Sequence, residues 1–170
     1  QDLQLPAGFS VGLYANDLPR ARFLRFTGGG DLLVSRPHAG DVILLEQDSN
    51  GDGKADGRST IISGLNRPQG IDFHGEWLYI AEREQIGRIR FDHANGTTSG
   101  EYETVVTGLT GNGNHWSKTL RFGPDGLMYM TQGSTCNVCE EADKRRATMM
   151  RFRPDGSAAE IFATGLRNSV

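Results

Sequence analysis

A histidine and a tryptophan, His115 and Trp116, end the glycine-rich stretch Gly-Asn-Gly-Asn-His-Trp of residues 111–116. Histidine can accept a proton near neutral pH, which makes His115 a candidate general base. Glycine and asparagine offer little apolar surface, so packing gives these two rings no evident reason to be there. We therefore predict that His115 is catalytic; a loop histidine that makes only a local hydrogen bond is the alternative.

The sequence contains a repeating strand pattern, described below, in which a linker precedes each repeat. Further polar side chains lie in linkers equivalent to the one that carries His115. They are Arg20, Arg22, Arg67, Gln69, Asn114, Lys118, Arg167 and Asn168. Arginine suits carboxylate oxygens because its guanidinium donates two parallel hydrogen bonds. The set predicts an anionic ligand with a base beside it. For Arg20 and Arg22, an exposed loop charge is the simpler interpretation.

The segment 48–56 has the oxygen spacing of a calcium-binding loop, with a glycine at its sixth position. The candidate ligands are Asp48, Asn50, Asp52, the backbone carbonyl of Lys54, and Asp56. The twelfth position holds Ser59 instead of glutamate, so Asp56 would supply the remaining carboxylate. We predict that the loop binds calcium and stabilises the fold; a polar turn between two strands is the alternative.

Cys136 and Cys139 are the only cysteines. Zinc would need two further ligands, and a thioredoxin-like role would need a βαβ unit that the sequence does not show. A local disulfide is the favoured interpretation, and disulfides persist in oxidising compartments. We therefore expect a periplasmic or secreted protein.

Composition is that of a soluble globular domain. The 170 residues are 36% hydrophobic and 23% charged, with a net charge of -3. This balance gives no electrostatic reason to expect a nucleic-acid partner. No apolar run approaches the ~18 residues that predict a membrane span.

Short alternating runs separated by glycine turns predict an all-β fold. The strand pattern repeats, with anchors at Phe26, Phe73 and Phe122 that are 47 (73 - 26) and 49 (122 - 73) residues apart. That period is close to one four-stranded β-propeller blade of ~40 to 50 residues. The sequence thus predicts a β-propeller with about three blades.

We expect residues 1–170 to form a single incomplete propeller domain. Its blades would occupy residues 19–65, 66–109 and 110–166, and residues 9–18 would be the closing strand of a blade that is otherwise absent. Three blades cannot close a ring without exposed edges, which predicts a missing C-terminal half of the propeller. The alternatives are a ring assembled from two copies of the chain and a sheet that is not a propeller.

The linkers between blades would line one mouth of the central channel. From the last leucine of one repeat to the phenylalanine anchor of the next, the first two linkers measure 8 residues (26 - 18 and 73 - 65) and the third measures 13 (122 - 109). The extra residues of the third linker include His115. An insertion in a loop at a channel mouth favours a functional role for that histidine.

Four stretches of the sequence resemble the glucose/sorbosone dehydrogenases. They are LPAGFSVGLYA, RPQGIDF, GNHWSKTLRFGPDGLMYMTQGSTCNVCEE and ATGLRNSV. Members of that family are six-bladed propellers that oxidise sugars with pyrroloquinoline quinone and calcium. The resemblance covers the whole chain and implies a propeller that has six blades when complete, with this chain as its first half.

The resemblance also implies roles for individual residues. His115 would remove the anomeric hydroxyl proton while a hydride passes from sugar C1 to the quinone. Gln69 and Asn114 would contact the substrate, and Arg167 with Asn168 would bind the quinone oxygens. An external electron acceptor would reoxidise the cofactor. Because the remaining cations and the groups that hold the active-site calcium come from the family's second half, the chain alone is expected to be inactive.

One departure from the family concerns the group that orients the histidine. The soluble glucose dehydrogenases have an aspartate after the glycine that follows this hairpin, whereas here Gly133 precedes Ser134. Asp143 or Glu140 could replace that aspartate. The cysteine insert is closer to the sorbosone-like branch.

Two other functions fit the same predicted fold. One is a non-enzymatic propeller module that binds protein or glycan through the same loops. The other is a calcium-dependent lactonase, which needs metal-binding carboxylates around its channel. The linkers supply Asn114 and Asn168 but no aspartate or glutamate, which disfavours the lactonase.

Overall fold

The computed structural model describes residues 3–170, and in that range the regular structure is entirely β. Twelve strands form three four-stranded antiparallel sheets, each a meander in sequence order. The predicted all-β class with about three blades is confirmed. No helix among these residues is long and apolar enough to cross a membrane.

Each sheet is one blade. Blade one contains β1 (Phe23–Phe26), β2 (Leu32–Arg36), β3 (Asp41–Leu45) and β4 (Arg58–Ile62). Blade two contains β5 (Ile71–His74), β6 (Trp77–Ala81), β7 (Ile86–Asp92) and β8 (Thr97–Val106). Blade three contains β9 (Lys118–Phe122), β10 (Met128–Gln132), β11 (Thr148–Phe152) and β12 (Glu160–Thr164).

The core lies between the blades, where the middle strands are apolar on both faces. The interface of blades one and two buries Leu33, Leu44, Ile71, Leu78 and Ile80. The interface of blades two and three buries Tyr79, Ile86, Leu120, Met128 and Met130. Burial of a side chain of this size contributes about 1.5 to 3 kcal/mol, so face-to-face packing of blades dominates the stability.

A buried aspartate ties the three inner strands together. Asp72 of β5 forms an ion pair with Arg25 of β1, with 2.8 Å between Oδ1 and Nη2. Its other oxygen accepts a hydrogen bond of 2.8 Å from the backbone amide of Phe122 in β9. Both carboxylate oxygens are therefore paired, as a buried charge requires.

Turns and linkers alternate between two edges of the blades. Because neighbouring strands run in opposite directions, the turn between the second and third strands lies at the same edge as the linker to the next blade. Backbone bonds of 2.9 Å from Leu65 to Gly40 and from Arg83 to Asn66 join these segments. We call this edge the upper face; it consists of the segments 19–22 and 165–170, the linkers 63–70 and 107–117 and the turns 37–40, 82–85 and 133–147. The opposite edge is the lower face.

The prediction of a strand at residues 9–18 is not met, since the structure assigns this segment no strand. A strand needs a neighbour to satisfy its backbone groups, and no strand of the described residues runs beside this one. Phe9, Val11 and Leu13 are exposed. The end of the segment instead packs on blade one, where the carbonyl of Tyr14 accepts a bond of 3.0 Å from the amide of Ala55.

Candidate functional site

His115 lies on the upper face, in the long linker that precedes β9. Its Nδ1 is 2.9 Å from the Ser134 hydroxyl oxygen and 3.2 Å from the Ser134 carbonyl oxygen. A carbonyl oxygen only accepts hydrogen bonds, so Nδ1 must carry the proton of the neutral ring. Nε2 is then left with the lone pair, and this tautomer is the one that a general base needs at Nε2.

Ser134, directly after β10, connects the histidine to the end of blade three. Its hydroxyl donates to the carbonyl of Cys136 over 2.6 Å, which leaves the oxygen lone pairs for His115. Its amide donates to the carbonyl of Arg167 over 2.8 Å. Ser134 is buried, so water competes little for these bonds.

Gly133 allows this close contact. A Cβ at this position would lie 2.5 Å from the Cβ of His115 and 2.7 Å from its carbonyl oxygen. Neither atom is the end of a flexible side chain. Only glycine therefore lets the two segments approach closely enough for Ser134 to reach the imidazole.

The structure places Arg167 and Asn168 next to this pair. Arg167 is exposed, and its Nη1 donates to the side-chain oxygen of Asn137 over 3.1 Å. The side-chain oxygen of Asn168 accepts from the hydroxyl of Ser117 over 3.3 Å. Within residues 3–170 none of the ion pairs includes Arg167, so its charge is available to an anion.

The two residues predicted to contact substrate differ in accessibility. Asn114 is exposed, and its backbone amide donates to the carbonyl of Thr135 over 2.8 Å. Gln69 is only 4% exposed, and its side-chain oxygen has no hydrogen-bond partner among the described residues. Contact between a sugar and Gln69 would thus require neighbouring side chains to move.

Lys118 is buried instead of lining the predicted rim. It is 1% exposed, and its ammonium donates to the carbonyls of Arg83, Thr110 and Trp116 over 2.5, 3.0 and 3.2 Å. Burial lowers the pKa of Lys118 to about 7, and the positive charge of Arg146 adds to the effect. Thr110 and Trp116 flank the inserted residues, so this lysine fastens both ends of the segment that carries His115.

The loop between β10 and β11 contains a disulfide that joins Cys136 to Cys139. The carboxylate of Glu141 accepts a bond of 2.6 Å from the amide of Thr135 within the same loop. Asn137, between the two cysteines, holds the guanidinium of Arg167. The disulfide loop therefore helps to position a residue of the candidate site.

The family model described as TrAA12-like matches residues 3–170. The chain belongs to the TrAA12-like family. The predicted resemblance to dehydrogenases that use pyrroloquinoline quinone is confirmed at the level of the family. None of the curated proteins compared with this sequence matches it.

Solved structures share the fold of this TrAA12-like chain. The quinone domain of pyranose dehydrogenase from Coprinopsis cinerea in its holo form has a TM-score of 0.78 and 23% identity, covering 92% of this chain and 41% of that one. The calcium structure of a family AA12 protein from Trichoderma reesei has a TM-score of 0.75 and 24% identity, with coverage of 92% and 43%.

The aldose sugar dehydrogenase from Streptomyces coelicolor, in its quinone-bound form, has a TM-score of 0.57 and 20% identity, with coverage of 88% of this chain and 51% of that one. Identities this low establish the fold and not the chemistry. The TrAA12-like chain spans about half or less of the length of these solved structures.

The group that contacts His115 in this TrAA12-like chain is Ser134, which was not among the predicted candidates. Asp143, one predicted substitute for the missing aspartate, pairs with Arg145 over 2.7 Å, and these hydrogen bonds lower the pKa of Asp143 to about 2. Neither Asp143 nor Glu140 bonds to His115. The position directly after Gly133 was the signal available in the sequence, because the predicted resemblance expects an aspartate there.

The predicted calcium loop lies on the lower face, between β3 and β4. Asp48 accepts bonds of 2.7 Å from the amides of Gly51 and Gly53, and Asp52 accepts one of 2.9 Å from the amide of Lys54. These bonds leave further lone pairs on each carboxylate. Among the described residues no cluster of three or more histidine, cysteine, aspartate and glutamate side chains is arranged for a metal, so a cation here would also need amide and carbonyl oxygens.

Asp56, the fourth predicted side-chain ligand, is bonded within the loop. One carboxylate oxygen accepts from the hydroxyl and the amide of Ser49, and the other accepts from the Asn50 side chain over 2.9 Å. The Ser49 bonds lower the pKa of Asp56. Asp56 therefore stabilises the loop in this conformation, and the amide bond to Asn50 competes with a role as ligand.

Replacing Ser134 with alanine should lower the turnover of the protein that carries this chain by about 10-fold, at the lower end of the effects of removing such supporting contacts. The alanine variant keeps the carbonyl contact at 3.2 Å, so the favoured tautomer is weakened but not lost. The measurement is kcat against pH. Ser134→Thr keeps the hydroxyl and should retain most of the rate; an alanine variant as fast as wild type would contradict the assignment.

Proposed function

We propose that the protein carrying this chain is a sugar dehydrogenase that depends on pyrroloquinoline quinone. The observation that carries the proposal is the bonding of His115, which holds its imidazole on the upper face beside Arg167 and Asn168. Membership of the TrAA12-like family and the fold shared with quinone-dependent dehydrogenases support it.

His115 would remove the proton of the anomeric hydroxyl through Nε2. Ser134 keeps Nδ1 protonated, so the imidazolium that forms would retain its bond to the serine oxygen. Positioned bases of this kind contribute about 10² to 10⁴-fold to rate. The substrate becomes a lactone when it loses this proton and the hydride at C1.

Arg167 and Asn168 fit the quinone because both are exposed, and the guanidinium of Arg167 is held in no ion pair within residues 3–170. Pyrroloquinoline quinone supplies the hydride acceptor when it is bound. The guanidinium of Arg167 would stabilise the negative charge that develops as the hydride arrives. An external acceptor would then take the electrons.

The complete site requires more than this chain. We propose that a C-terminal half of the propeller supplies the cations and carbonyls that bind the quinone carboxylates and an active-site calcium, and that the propeller has six blades when complete. The similar chains are about twice as long, which supports this proposal. The isolated chain would then be inactive.

A reconstitution assay tests the function. The protein carrying this chain, loaded with pyrroloquinoline quinone and calcium, should reduce an artificial electron acceptor when an aldose or sorbosone is added. Omission of the quinone should abolish the activity. A protein that binds no quinone and oxidises no sugar would refute the proposal and favour a binding module.

We further propose that calcium binds the loop 48–56 and stabilises the fold, since a ligand that binds only the native state raises its stability by mass action. Calcium should raise the melting temperature of the wild type by more than that of Asp52→Ala, in which only the proposed active-site calcium would still bind. Asp155→Ala is the matched control, because both aspartates accept a bond of 2.9 Å from the amide two residues ahead. A calcium response as large in Asp52→Ala as in the wild type would exclude this loop as a calcium site.

The disulfide supports a proposal that the protein is exported to the periplasm or secreted, because such bonds persist in oxidising compartments. Mass spectrometry without reduction should find Cys136 linked to Cys139 in protein isolated from its native compartment. The stabilisation is expected to fall below the ~3 kcal/mol of a 15-residue loop, since only a short loop is closed. Two free thiols would count against export.

A further inference from the structure

A cleft on the upper face contains basic side chains to which the proposed reaction assigns no role. Its volume is about 360 Å³, and it is lined by Arg20, Ala21, Arg22, Pro37, His38 and Trp116. Pro37 and His38 belong to the turn between β2 and β3, and Trp116 directly follows the candidate base in the chain. The cleft therefore lies beside the site of His115.

Within residues 3–170 the arginines at this cleft form no ion pair with an acidic side chain; this holds for Arg20, Arg22 and Arg67. Arg20 and Arg22 line the cleft, and the guanidinium of Arg67 lies over the ring of Trp116, 5.3 Å from its centroid. Two like charges on a concave surface, with a third against its wall, produce a field that attracts anions.

His38 adds a polar ring to the same wall. The Nη1 of Arg20 is 3.0 Å from its Nε2, and because arginine can only donate, this nitrogen must accept and the ring is neutral. Partial removal from water and the charges of Arg20, Arg67 and Arg22 lower the pKa of His38. The groups that act on this histidine are thus all cationic.

The backbone conformation at two of the arginines is also unusual. Arg20 and Arg67 occupy equivalent positions, two residues after Leu18 and Leu65, and have φ angles of 57° and 52°. Residues other than glycine rarely adopt this left-handed region, and such strain is concentrated at functional sites. The fold therefore repeats an unfavourable conformation at Arg20, which lines the cleft, and at Arg67, whose guanidinium lies over the Trp116 ring of its wall.

We propose that this basic cleft binds a carboxylate group of a ligand that extends to His115. The inference rests on the proposed function only in placing that ligand beside the base. The carboxylate is that of a sugar acid, which would make hexuronates the preferred substrates, since the quinone carboxylates are assigned above to the C-terminal half of the propeller. Arginine pairs with carboxylates through two parallel, charge-assisted bonds, which a neutral sugar cannot accept.

Calorimetric titration of the protein that carries this chain tests the proposal with three probes, which are glucuronate, glucose and pyrroloquinoline quinone. The variant is Arg20→Gln with Arg22→Gln; both side chains are exposed, so the fold should survive, and the melting temperature checks this. Arg153→Gln is the control, because Arg153 is an exposed arginine in the turn between β11 and β12 on the lower face.

The double variant should bind a carboxylate ligand at least about tenfold more weakly, and the difference should shrink at high salt. Weakened glucuronate binding with unchanged glucose binding would support the sugar-acid site. Weakened quinone binding, where the wild type does not bind glucuronate, would assign the arginines to the cofactor and overturn the proposal. Equal glucuronate binding by wild type and variant, or no glucuronate binding by the wild type, also overturns it.

Failure of the proposed function gives a different result. A protein that binds glucuronate through the arginines but binds no quinone and oxidises no sugar would refute the dehydrogenase and leave the carboxylate site intact. A protein that oxidises sugars normally with both arginines replaced, and binds both carboxylates as before, would refute the carboxylate site alone.

Discussion

Replacing His115 with alanine should lower kcat by about 10² to 10⁴-fold in the protein loaded with quinone and calcium, the usual contribution of a positioned base. The physical reason is the bond between Nδ1 and Ser134, which leaves Nε2 as the only nitrogen of the ring that can accept the sugar proton. Quinone affinity should change much less, because Arg167 and the other cations of the site would hold the cofactor.

Chemical rescue distinguishes a base from a ligand contact, because a free proton acceptor can replace a lost base but not a lost contact. Added imidazole should restore part of the rate, since the cavity left by the side chain can admit it.

His93→Ala is the control for His115→Ala. His93 is also partly buried, but it packs against Phe73 and Phe91 on the lower face, so its loss should affect stability and leave kcat unchanged. A His115→Ala variant with normal turnover and weakened quinone binding would make His115 a cofactor contact. Normal values of both would leave the proposed mechanism without a base.

Much of the fold could be predicted because each blade repeats the same local signals. The alternation of apolar residues fixes which strands are buried, and glycine turns separate the strands, as around Phe26, Phe73 and Phe122. Residues 9–18 show the limit of this approach. Their pattern is that of a strand, but a strand also depends on a neighbour that the segment itself does not encode.

Loop length in the sequence indicated some residues of the candidate site. Residues whose role depends on contacts between distant segments of the chain could not be predicted. The long third linker indicated His115, and the end of blade three indicated Arg167. The role of Ser134 depends on how closely Gly133 approaches the histidine, a distance that the two residues alone do not reveal. A serine in a loop is usually solvated, so its type gave no signal.

Lys118 shows the same difficulty for a charged residue. Lysine is almost never fully buried unless it is paired, so a rim position was the natural prediction. The structure pairs it with three backbone carbonyls, those of Arg83, Thr110 and Trp116. Since no negatively charged side chain is needed for such pairing, the sequence contains no complementary residue that would indicate it.

Replacing Lys118 with methionine should destabilise the protein by a few kcal/mol. Each buried carbonyl left without a donor costs about 1 to 3 kcal/mol, and relief from burying the ammonium offsets part of that loss. Because Thr110 and Trp116 flank the inserted residues, the variant should also expose 111–114 to proteolysis. Denaturant unfolding and limited digestion measure the two effects, with the exposed Lys144→Met as control.

The pH dependence of the free energy of unfolding tests whether burial lowers the pKa of Lys118. The pKa of Lys118 is lowered to about 7 in the folded state, whereas an unfolded lysine titrates near about 10.4. Between these values the unfolded state binds more protons, so this group makes stability rise with pH from about 7 to about 10. The free energy of unfolding of the wild type minus that of Lys118→Met should therefore rise over this pH range. The corresponding difference between wild type and Lys144→Met should not.

A Lys118→Met variant as stable as wild type, with an equally protected loop 111–114, would show that the three carbonyl contacts do not hold the segment that carries His115.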